Sequence, residues 1–79
     1  MDIENFIKKE APSESEHDKC YAKALREVYV AYQGKSEAEL IELQKLTRIF
    51  YKIKGPTHYA VASCMVLRSM IGEYKQVTE

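Results

Sequence analysis

The segment from Thr57 to Tyr74 reads as a helix that is apolar around nearly its whole circumference. Ala60, Val61, Ala62, Cys64, Met65, Val66, Leu67, Met70 and Ile71 spread over the helical wheel at about 100° per residue, interrupted only by Ser63, Arg68 and Ser69. A helix of that kind is buried on every side. The chain has 79 residues, and a chain so short builds a limited core. Two partner helices and one short N-terminal helix leave part of this surface bare. The expectation is therefore association, with a second copy or another protein completing the cover. The competing expectation is a monomer in which the N-terminal helix folds over the open side.

The rest of the chain supplies those helices. Residues 1–11 form a short amphipathic helix with Ile3, Phe6 and Ile7 on one side, ended by Pro12. Ser13 with Glu16 three residues later matches a capping box and starts a helix over about 14–33. Its apolar positions are Tyr21, Ala24, Leu25, Val28, Ala31 and Tyr32, with Val30 out of phase and Gly34 as the stop. Ser36 and Glu39 make a second capping box. In the helix that follows, Glu37, Glu39 and Glu42 come first and Lys45, Arg48, Lys52 and Lys54 last, the order the helix dipole favours. Leu43, Leu46, Ile49, Phe50 and Ile53 form its core stripe, with Leu40, Ile41 and Tyr51 outside it. Gly55-Pro56 then reads as a tight joint, Gly55 taking positive φ and Pro56 opening the last helix. The fold class is all-α: a small helical bundle of three longer helices plus a short N-terminal helix. Residues 1–79 are read as a single domain, with 1–12 a short helix and connector and 13–79 a three-helix core.

Composition narrows the function classes. Twelve basic residues balance twelve acidic ones, which argues against a strongly nucleic-acid-binding or membrane-surface protein. No apolar run approaches the ~18 residues of a membrane span. The start, MDIENFIKKEA, lacks the features of a signal peptide. The expected setting is cytoplasmic, with no membrane, and Cys20 and Cys64 as reduced thiols.

Candidate chemistry is sparse. His17, Cys20, His58 and Cys64 make a sensible zinc ligand set by type. Their spacing does not support it, because His58 and Cys64 fall on roughly opposite sides of one helix. No glycine-rich phosphate loop or catalytic triad signature is present. No cofactor, no metal and no enzyme activity are expected.

Two binding classes remain. Residues 45–58 carry Lys45, Arg48, Lys52 and Lys54 with no acid, and Tyr51 and Tyr59 could stack on bases. This supports a nucleic-acid-associated regulator as the alternative reading. Against it, the helix after the turn begins THYAVASCMVL, which offers a major groove little to hydrogen-bond. The favoured expectation is a protein–protein interaction module, a regulator or inhibitor that occludes or bridges a protein partner and self-associates as a dimer through its C-terminal helix. Six tyrosines and no tryptophan support it, since tyrosine and methionine are enriched at interface cores. The expected interface residues are Ile41, Tyr51, Tyr59, Met65, Val66, Met70 and Tyr74.

Overall fold

A computed structural model describes the backbone of residues 2–77 and the side chains of residues 2–75. The chain is all-α, with helices α1 (Ile3–Glu10), α2 (Glu16–Tyr32), α3 (Glu37–Lys54) and α4 (His58–Val77). Each start has a local cause. Asp2 accepts from the Asn5 N–H to cap α1. Ser36 and Glu39 form the reciprocal capping box of α3. Thr57 Oγ1 accepts from the Ala60 N–H at 3.1 Å and caps α4, so Pro56 stands before the helix rather than in its first turn. The cap of α2 is Ser15 and not Ser13: Ser15 Oγ accepts from the Asp18 N–H at 3.2 Å. Asp18 reaches back past Ser15, and its carboxylate accepts from the Ser13 N–H and hydroxyl at 3.0 and 2.7 Å.

The joints are short. Gly34 and Gly55 stand at φ +83 and +85, the left-handed region where a side chain is strained. At the α3–α4 joint the Gly55 N–H bonds the Tyr51 carbonyl and the Thr57 N–H bonds the Gly55 carbonyl.

Helix α4 is the centre. It packs against both α2 and α3, while α1 lies mainly on α2. Ala62, Val66 and Leu67 are fully enclosed, and Ala60, Ser63, Met70 and Ile71 are buried with them. All four helices feed this core: Ile7 from α1, Tyr21, Ala24, Leu25 and Val28 from α2, and Leu40 from α3. Ile3 and Phe6 pack at its edge, and Arg26 holds α1 through two hydrogen bonds to Glu4 at 3.1 and 3.3 Å. The apolar surface of α4 is thus largely covered by the chain's own helices.

The stripe expected to face the core from α3 does not. Leu46, Ile49, Phe50 and Ile53 are 60%, 55%, 46% and 73% exposed, and Leu43 alone of that stripe is half-buried. The side turned inward carries Leu40, Gln44 and Thr47, and Leu40 is the buried anchor. Thr47 tolerates that position because its hydroxyl donates to the Leu43 carbonyl at 2.7 Å. The Cα trace measures 38 × 30 × 18 Å. Its thin axis holds two helix layers at the usual 8–10 Å spacing. Among the described residues no further helix lies beyond α3 to cover its outer side.

Candidate interaction surface

The seven expected interface residues do not lie on one surface. Val66 and Met70 are core residues, 0% and 8% exposed. Ile41 is half-buried against the same core. Met65 is half-buried in a depression of about 390 Å³ that Phe6 and Lys9 of α1 also line. Tyr74 sits at one end of the bundle, where its hydroxyl donates to the Lys35 carbonyl at 2.7 Å. Tyr59 sits at the other end, half-exposed, with its hydroxyl donating to the Glu27 carboxylate. That bond pushes the Tyr59 phenol above its ordinary value, because the un-ionised form is the one that donates. Tyr51 is 40% exposed at the same end.

What the structure brings together is the outer side of α3. At about 100° per residue, Leu46, Ile49, Phe50 and Ile53 fall within about 100° of arc over two helical turns. Lys45, Arg48 and Lys52 occupy the neighbouring arc, and Lys54 lies past the other edge. All four cations are exposed. Lys45 makes an ion pair with Glu42 at 3.5 Å; among the described residues, Arg48, Lys52 and Lys54 make none. Behind Phe50 a groove of about 170 Å³ opens between α3 and α4, lined also by Tyr32, Thr47, Tyr59, Ala60 and Ser63.

Two other clefts lie at the ends of the bundle. The N-terminal ends of α2 and α4 meet at His17 and His58, whose rings sit edge to face with centroids 4.9 Å apart. Tyr21, Thr57 and Val61 complete that cleft, and no cysteine lines it. Cys20 and Cys64 are free thiols, one exposed and one half-buried. Among the described residues no three His, Cys, Asp or Glu side chains converge as metal ligands, so the set of His17, Cys20, His58 and Cys64 is not assembled. At the opposite end a more apolar cleft of about 320 Å³ is lined by Tyr29, Tyr32, Leu40, Met70 and Tyr74 with the Gly34 joint. Neither cleft sets a nucleophile beside a base and an orienting group.

The exposed stripe on α3 is the site that periodicity misassigned. The available signal was Gln44 and Thr47 on the side of Leu40: small or uncharged side chains that can enter a core edge, where Lys45, Arg48 and Lys52 cannot.

No family model, no curated protein and no solved structure matches this chain. No helix among the described residues is long and apolar enough to cross a membrane.

Proposed function

We propose that this chain is a small non-enzymatic protein-binding module, a regulator or inhibitor that acts by occluding or bridging a protein partner, and that its binding surface is the second half of α3. One observation carries the reading: four large apolar side chains, Leu46, Ile49, Phe50 and Ile53, stand side by side in water on one regular helix. Contiguous apolar surface on a small folded chain marks an interaction site, whereas scattered apolar residues do not. Each such side chain is worth about 1.5–3 kcal/mol when fully removed from water. Tyr59, which lines the groove beside Phe50, is a residue type enriched in interface cores. The α3 face is favoured over α4 for this surface, because α1, α2 and α3 already cover most of the apolar side chains of α4.

Photo-crosslinking inside cells tests this. A benzophenone side chain placed at Ile49 or Ile53 should give a discrete protein adduct, and the same group at Lys23 on the far side of α2 should give none. No adduct at α3, or equal adducts at both places, would sink the reading. A second reading is supported by Arg48, Lys52 and Lys54, which are exposed and make no ion pair among the described residues: a nucleic-acid-associated regulator using these with Lys45. Its mark would be an adduct destroyed by nuclease, with binding that weakens steeply as salt rises.

A further inference from the structure

The chemistry around the α3 face points to one class of partner. We propose that this face takes an acidic amphipathic helix: apolar side chains along one side of the partner cover Leu46, Ile49, Phe50 and Ile53, and Asp or Glu side chains flank them. The proposal rests on α3 being a protein-binding face, and it adds the identity of what binds.

Charge is the first argument. Residues 45–58 contain Lys45, Arg48, Lys52 and Lys54 and no Asp or Glu, a formal +4 in a chain that is neutral overall. Three of these line one edge of the apolar stripe and the fourth lies past the other. A partner that buries the stripe is forced to bring its own flanks against cations. Carboxylates there give complementary contacts and speed encounter; cations there are rejected.

Shape is the second. The stripe covers two turns, the length over which a partner helix presents anchors at i, i+3, i+4 and i+7. The groove beside Phe50, walled by Tyr32, Thr47 and Tyr59, is concave and offers room for one large apolar side chain. A recess of this kind suits a protruding side chain of a folded partner.

The same features disfavour the other covers. In an antiparallel pairing of two copies centred on the stripe, Leu46 meets Ile53, and the two Lys45, Arg48 and Lys52 edges lie side by side with Arg48 crowded against Lys52. In a parallel pairing the Lys45, Arg48 and Lys52 edge of each copy lies along the Lys54 edge of the other. Both collect eight cations around one apolar seam with no carboxylate from residues 45–58 to offset them. Nucleic acid would use the cations and leave the four apolar side chains in water.

The experiment uses the full chain and two synthetic helical peptides identical in a Leu/Phe face, one with Glu on its flanks and one with Lys. Fluorescence anisotropy and amide chemical-shift mapping follow each titration. The Glu peptide should bind about tenfold or more tightly than the Lys peptide, a preference set by flanking charge. Its shifts should fall on residues 46–54 and Tyr59. Arg48→Glu with Lys52→Glu brings residues 45–58 from a formal +4 to zero and should erase the preference. Both positions are solvent-facing, and circular dichroism confirms that the variant folds. Equal binding of both peptides at α3 overturns the acidic partner and leaves the protein-binding face standing. Peptide shifts elsewhere on the chain overturn both. So does binding of phosphatidylglycerol vesicles or of a DNA duplex in place of either peptide. A dimer that forms at working concentration and is lost in Ile53→Ser overturns the acidic partner in favour of a second copy of this chain.

Discussion

Tyr32 Oη donates to Ser63 Oγ at 3.2 Å, joining α2 to α4 across 31 residues of sequence. Ser63 is the buried polar side chain of the α4 core, and this bond lets it face α2. Tyr32→Phe removes the donor and should cost about 1 kcal/mol, the usual net worth of such a bond. Urea denaturation followed by circular dichroism should show a lowered midpoint with native helix content unchanged.

Gly55 and Gly72 should respond to alanine with opposite signs. Neither has a heavy atom within 4 Å of where a Cβ would lie, so crowding plays no part. Gly55 stands at φ +85, and Gly55→Ala should destabilise by about 1 kcal/mol through the backbone alone. Gly72 lies inside α4, and Gly72→Ala should stabilise by about 0.8–1.0 kcal/mol, the difference in helix propensity. Two thermal melts beside the parent chain decide the pair.

Truncation separates the core from the α3 face. Leu67 is 0% exposed, and Leu67→Ala should cost about 2–5 kcal/mol as lost burial plus a cavity. Ile53 is 73% exposed, and Ile53→Ala should stay within about 0.5 kcal/mol. A large loss at Ile53 in the isolated chain would mean that its side chain is already covered.

Acid should weaken the fold. The Ser13 hydroxyl and N–H hold the Asp18 carboxyl below its ordinary value, Arg26 does the same for Glu4, and the Ser36 N–H does so for Glu39. Each favours the charged form in the folded state. Its stabilisation is therefore complete above the unfolded carboxyl value of about 4 and is lost as pH falls through the lower folded value. The urea midpoint should drop below about pH 4, and less so in Asp18→Asn. An identical drop in Asp18→Asn would remove Asp18 from this account.

The helices and their ends were legible because their causes are local. Ser36 with Glu39, Gly34 and Gly55 act through neighbours three or four residues away, and the structure carries each one out, while Pro56 falls just before α4 and Thr57 caps it. Ser13 fits the capping pattern although Ser15 is the cap, because both serines lie within reach of Asp18. The rotation of α3 was not legible. Periodicity locates an apolar stripe, but it does not say whether the cover for that stripe lies inside the chain. In α3 the longer stripe, Leu46 to Ile53, faces out, while Leu40 with Gln44 and Thr47 faces in. The demand of α4 for burial was read correctly in kind. Part of its cover comes from Ile7 of α1, the helix of the competing expectation, and part from Leu40 of α3, which lies outside the expected stripe.

An α3 anchored by Leu40 near its start and solvent-facing at nearly every position from Lys45 to Lys54 has unequal local stability along its length. Its last turns can open without disturbing Val66 or Leu67, so they open at a free energy well below that of global unfolding. Amide hydrogens there should exchange ahead of those in α4, and trypsin should first cut after Arg48, Lys52 or Lys54. Any ligand seated on this helix would close that route by mass action. The lifetime of the free chain among proteases would then report how much of it is occupied.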